Sequence, residues 1–149
     1  MIKADPVRLK LDHDAKSIVL DGLIIGQDDR FETLLGRLEE SPVFSLMGDR
    51  YTNGRYASAR AQRSVGEIEL YVLSYLDHVT FISVYVGPGF MDWRPETVER
   101  YLDWFRGAVP DFGNRDTWIR VLVQKELHSG MPLVGINFNE NDPSRIAIQ

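Results

Sequence analysis

His13, His78 and His128 are the only histidines in a 149-residue chain that has no cysteine. Acid–base or metal chemistry would therefore have to be assembled from these imidazoles and from carboxylates. The lack of cysteine excludes disulfides, thiolate nucleophiles, iron–sulfur clusters and cysteine-ligated zinc. His78 follows Asp77, and a carboxylate beside an imidazole suits a general acid–base pair. Consecutive residues in a turn point apart, however, so the pair reads as a solvated hairpin tip. His13-Asp14 has the look of the metal-binding His-Asp pair of phosphohydrolases, but with His128 at an element end the remaining ligands are missing.

Other candidate constellations are equally incomplete. Glu67 and Glu69 share one face of a strand at roughly 7 Å, a spacing used by paired carboxylates, yet alternating charge on a solvent face gives the same pattern. Asn137, Asn139, Asn141 and Asp142 are rich in oxygen donors but lack the glycine and closing glutamate of a calcium loop, which leaves a β-turn. Asp111-Phe112-Gly113 matches the kinase magnesium triplet without any of its companion motifs. No P-loop, Gly-x-Gly-x-x-Gly or Gly-x-Ser-x-Gly occurs. The chain offers no catalytic residue, metal site or cofactor motif, so the reading leans away from an enzyme.

Residues suited to recognition are better represented. Arg50, Arg55, Arg60 and Arg63 are interleaved with Tyr51 and Tyr56. Guanidinium forks bind carboxylate or phosphate in bidentate fashion, and tyrosines add stacking area. A solvated loop with its arginines paired to nearby acids is the plainer alternative. Trp93 and Trp104 are further candidate anchors, because Trp104 falls off the apolar stripe of its helix and exposed tryptophan is common at interface centres.

These residues must be held by secondary structure, whose signals are mostly clear. Val7, Leu9 and Leu11 alternate with polar residues as in a half-buried strand. Ser17–Leu20 and Leu23–Ile25 flank Asp21-Gly22, a hairpin dipeptide, so the chain opens as a β-meander. Phe31, Leu34, Leu35 and Leu38 form a helical stripe, with Asp29 and Glu32 as a capping box and Ser41-Pro42 as the stop. Val43–Met47 is a short strand. Residues 48–66, with three glycines, four arginines and little hydrophobic order, read as a long exposed connection.

Glu67–Leu76 and Val79–Val86 are rich in Ile, Val, Tyr and Phe, apolar on both faces and joined by Asp77-His78. They are therefore placed at the centre of the sheet. Pro95 opens a second helix with Val98, Tyr101, Leu102 and Phe105 inward, and Gly107 closes it. Asp116–Leu127 fits both a strand and a helix; Asp116 as cap and Gly130 as stop favour the helix. Pro132–Phe138 and Arg145–Ile148 then close the sheet. The expected fold is α+β, a mainly antiparallel sheet of about six to eight strands against two or three helices, in one domain over 1–149.

Hydrophobic residues at 44% and charged residues at 26% are globular values. A net charge of −5 repels polyanions and favours a basic partner. The N-terminus lacks a secretory h-region and no apolar run spans lipid, so a cytoplasmic protein without nucleic-acid or membrane partners is expected. Two functions stay side by side. One is a non-enzymatic protein-binding module, whose profile is similar to that of the toxin-neutralising immunity proteins of bacteria. The other is a small-ligand domain or small enzyme with a pocket between helix and sheet, lined by Tyr71, Tyr75, Phe81 and Tyr85 and polarised by Arg60 or Arg63. A homodimer through the edge strand Val7–Leu11 or Arg145–Ile148 is compatible with either.

Overall fold

The computed structural model describes residues 7–63, 67–109 and 118–138. Leu9–Asp12 (β1), Ser17–Leu20 (β2) and Leu23–Gly26 (β3) form a three-stranded antiparallel meander. Asp21 and Gly22 both take positive φ, as the Asp-Gly hairpin turn requires. Helix α1 (Phe31–Glu40) follows, with Phe31, Leu34, Leu35 and Leu38 buried as the stripe predicts. A six-stranded antiparallel sheet is built from Phe44–Asn53 (β4), Tyr56–Arg63 (β5), Ile68–Tyr75 (β6), His78–Val86 (β7), Ile119–Lys125 (β8) and Pro132–Phe138 (β9). Its spatial order is β4-β5-β6-β7-β9-β8, so the apolar pair β6–β7 is indeed central. Helix α2 (Pro95–Ala108) joins β7 to the far edge, and β9 returns between β7 and β8. The fold is α+β with a mainly antiparallel sheet.

Alternation along the strands sorts the large sheet into two faces. Ile68, Leu70 and Val72 of β6, Ile82, Val84 and Val86 of β7, and Val134, Ile136 and Phe138 of β9 belong to one hydrophobic cluster. That cluster also takes in both helix stripes and the inward residues of the small sheet. Both helices and the meander therefore sit on the same side of the six-stranded sheet, α1 against β4 and α2 against β8 and β9. The alternate residues, among them Tyr71, Phe81, Ser83, Tyr85 and Leu133, lie outside that cluster and point the other way.

Four expectations need correction. Residues 48–63 are not an exposed connection: they complete β4 and form β5, paired from Phe44↔Arg63 to Asn53↔Tyr56 with a bulge between Met47 and Tyr51. The inward residues of β5 are Ala59 and Ala61, both buried. Small side chains leave the strand with little hydrophobic signal.

Residues 119–125 are a strand rather than a helix. Ile119, Val121 and Val123 are buried on one face, whereas Leu127, which a helical stripe requires, is 95% exposed in the turn beyond. Asp116 and Arg145–Ile148 lie outside the described residues.

The β6–β7 turn is Leu76-Asp77, one residue earlier than expected, with Tyr75 opposite His78. His78 thus begins β7 and is half-buried. Nor does Asp29 cap α1. The N-cap is Arg30, which makes no side-chain cap bond, and the Phe31 N–H donates to the Asp77 carbonyl at 2.8 Å. That main-chain bond satisfies an orphan donor of the first turn. It frees Asp29 to accept the Gly26 N–H at 2.6 Å and to pair with Arg37.

Candidate functional site: the open face of the large sheet

Among the described residues, no helix covers the outer face of the six-stranded sheet. Its middle is set by register: Glu69 opposes Tyr85, Tyr71 opposes Ser83, and Leu73 opposes Phe81. Next to them Tyr85 opposes Leu133 and Ser83 opposes Gly135. The Phe81 ring lies over Gly135, where an added Cβ would stand in ordinary contact with it at 3.5 Å. Because side chains two apart on a strand share a face, Tyr71, Phe81 and Tyr85 collect on one surface.

The β8–β9 connection folds over the end of this surface. Glu126 organises it: its N–H donates to the Met131 carbonyl at 2.8 Å, and its carboxylate accepts the His128 N–H at 3.0 Å and the Ser129 N–H. Those bonds, led by the ones from Ser129, hold the Glu126 carboxyl below the usual carboxylate range. Between this turn and the strands lies a cavity of about 690 Å³, floored by Tyr71, Phe81, Tyr85 and Leu133 and walled by Met131 and Leu127. Ser83, Gln124, Glu126 and His128 bring polar groups to it, and Pro88 closes the far side. Its size and its mostly apolar lining are those of a recognition pocket.

Beside the cavity, Glu69 is only 6% exposed. Its Oε1 accepts the Tyr85 hydroxyl at 3.3 Å. Burial first, and then the negative charge of Glu69, push the Tyr85 phenol up to about 12, against the opposing pull of Arg60. A side chain at Gly87 would collide with the other Glu69 oxygen and crowd the Phe90 ring. Gly87 thereby seats the carboxylate.

The predicted recognition residues do not converge on one surface. Alternation along β5 sends Arg60 to the open face, near Tyr85 and Glu69, and Arg63 to the interior. Arg63 is 4% exposed and its guanidinium donates to Asp21 at 3.1 Å, which ties β5 to the meander. Arg50 pairs with Glu32 of α1 in solvent. Tyr51 and Arg55 are exposed at the β4–β5 end, where the Tyr56 ring lies 5.0 Å from that of Tyr75. Trp93 is exposed, whereas Trp104 is half-buried against Tyr101 and Phe105. Trp118 is buried and donates its indole N–H to His13 Nδ1 at 3.2 Å.

Of the residues named for a pocket, Tyr71, Phe81 and Tyr85 do line one. It opens on the face opposite the helices, not between helix and sheet, and Tyr75, Arg60 and Arg63 are not among the residues that line it. Leu127 and Met131 were not singled out for a pocket from the sequence, because the helical reading of 116–127 hid the turn that carries them, and Leu133 was read only as part of a closing strand.

Glu67 and Glu69 do not act as a pair: Glu67 accepts the Tyr101 hydroxyl at 2.9 Å on the helix side, while Glu69 serves Tyr85. Among the described residues, no three His, Asp or Glu side chains converge as metal ligands, and no helix is long and apolar enough to cross a membrane. Comparison with protein-family models, with curated proteins and with solved structures returned no match.

Proposed function

We propose that this protein is a non-enzymatic binding module whose working surface is the open face of the six-stranded sheet and whose partner is a basic protein. One observation carries the reading. Tyr71, Phe81, Tyr85 and Leu133 are gathered on the face of the sheet that no described helix covers, around a cavity whose rim includes the almost fully exposed Leu127. Tyr85 and Leu133 are themselves buried, whereas Tyr71 and Phe81 are only half-buried, and half-exposed aromatic area beside a cavity is typical of an interface centre. The net charge of −5 supplies the long-range attraction for a basic partner.

In its narrower form the proposal makes the protein a cytoplasmic immunity protein that neutralises a bacterial toxin domain by covering its functional surface. The test is to mix the protein with basic proteins encoded beside its own gene. A 1:1 complex is expected, with association that slows as salt is raised and affinity that falls about tenfold or more on Tyr71→Ala or Phe81→Ala. A complex indifferent to both substitutions, or no complex at low salt, would overturn the reading.

A second reading, a small-ligand domain, is favoured by the volume of the cavity alone. Thermal-shift screening with metabolites distinguishes it, because a resident small molecule raises Tm in proportion to the logarithm of its concentration. Self-association through β1, which among the described residues pairs only with β2, is compatible with both.

A further inference from the structure

We propose that the cavity under the β8–β9 turn is an anchor pocket for one cationic side chain, an arginine or lysine presented by the partner protein. The inference rests on the binding-module reading and specifies what that surface grips. Its first support is the lining: three aromatic rings, those of Tyr71, Phe81 and Tyr85, meet in one cavity. Aromatic faces carry negative quadrupole potential and attract guanidinium and ammonium groups, more strongly where water is excluded.

The second support is charge. Among the described residues, Glu126 is the one acidic residue that lines the cavity, and no lysine or arginine lines it. The hydrogen bonds from Ser129 and His128 hold the Glu126 carboxylate at the mouth, in the anionic form. A second carboxylate, Glu69, accepts the hydroxyl of Tyr85, on which Arg60 of β5 also acts. Lys125, next to the turn, is paired with Glu99 of α2 at 2.9 Å and so is drawn toward the helix.

The third support is the asymmetry of the polar groups. Tyr85 keeps its proton over the physiological range and donates it to Glu69. Of the other polar groups that line the cavity, the Glu126 carboxylate can only accept, while Ser83 and Gln124 can accept as well as donate. A guanidinium presents five N–H donors and no acceptor, which suits such a lining. An anionic anchor would meet the Glu126 carboxylate instead.

The test uses amide NMR spectra of the full chain titrated with N-acetylarginine amide and, separately, with N-acetylcitrulline amide, its uncharged isostere. Saturable shifts centred on Ser83, Tyr85, Gln124 and Met131 are expected for the arginine probe and about fivefold weaker ones for citrulline. Glu126→Gln is expected to weaken the arginine response several-fold, and Tyr71→Leu, which keeps apolar bulk but removes the ring, to do the same. Equal shifts with citrulline, shifts scattered over the acidic surface, or indifference to both variants would overturn the anchor. If a basic protein still binds through the open face while the arginine probe leaves the cavity untouched, the anchor falls and the binding-module reading stands. If neither event occurs, both fall.

Discussion

The Tyr85 hydroxyl donates to the Glu69 carboxylate at 3.3 Å across the β6–β7 register, on the sheet face that no described helix covers. The pair links a buried acid to the wall of the cavity, and it leaves a measurable mark. Tyr85 is raised to about 12 by burial and by Glu69, and Tyr101 to about 12 by burial and by its bond to Glu67. Both phenols bind their protons more tightly in the folded chain than the ordinary value of 10 allows. Their contribution to stability is therefore complete below pH 10 and is lost as pH rises from 10 toward 12. Ultraviolet titration is expected to resolve a late phenolate phase that shrinks in Tyr85→Phe and again in Tyr101→Phe. A single phase near pH 10 for all tyrosines would contradict the pairing.

The buried pair Arg63–Asp21 makes a different prediction. Asp21→Asn keeps a residue that tolerates positive φ and keeps an acceptor for the Arg8 N–H, which now donates to Asp21 at 3.0 Å. What it removes is the countercharge of a guanidinium that is 4% exposed. Breaking a buried ion pair by removing the charge of one partner costs about 3 kcal/mol or more. Urea unfolding is expected to report that loss, and a change under about 1 kcal/mol would mean that Arg63 finds compensation elsewhere.

Leu70 and Tyr71 are neighbours in sequence on opposite faces of β6, and they separate stability from function. Leu70 is fully buried in the shared core, so Leu70→Ala is expected to cost about 2–5 kcal/mol. Tyr71 is half-buried beside the open cavity, and Tyr71→Ala is expected to cost about 1 kcal/mol or less. Paired denaturation curves check the contrast. Equal losses would place Tyr71 in the structural core and remove it from the recognition surface.

Both helices and the central strands were legible because their apolar residues repeat at the helical or the two-residue period without interruption. The β4–β5 hairpin was not, since its inward positions at Ala59 and Ala61 carry almost no hydrophobic signal and its outward ones carry arginine. In β8 the β-branched residues Ile119, Val121 and Val123 were the informative ones. Leu122, on the open face, and Leu127, in the turn, imitated a helical stripe.

The open face was half-visible. One alternate set in β6 and β7 is purely aliphatic, Leu70, Val72, Ile82 and Val84, while the other mixes Tyr71, Ser83 and Tyr85. A hydroxyl-bearing aromatic set suits a surface with one wet side better than a sealed core. Nothing in the sequence brings residues 126–131 over it, because that placement depends on β9 inserting between β7 and β8.

Leu76 breaks a local rule without structural return. It occupies the β6–β7 turn at φ 50°, a left-handed conformation, and is 52% exposed. A leucine there costs about 1–2 kcal/mol relative to a residue at ease in that region, and Asn is the common choice at the first position of such a turn. Its N–H donates to the Arg55 carbonyl at 2.9 Å, a bond any residue but proline would keep. Leu76→Asn is therefore expected to stabilise the fold by about 0.5–1 kcal/mol, raising Tm by about 1–4 °C in a chain of this size. Calorimetry checks this directly, and a fall in Tm would show that the leucine side chain packs where the exposed turn gives it little to touch. Once a partner is in hand, the same variant separates two reasons for an apolar residue at a strained turn. Weaker binding from a more stable protein would mark Leu76, bonded through its N–H to exposed Arg55, as a peripheral contact of the interface.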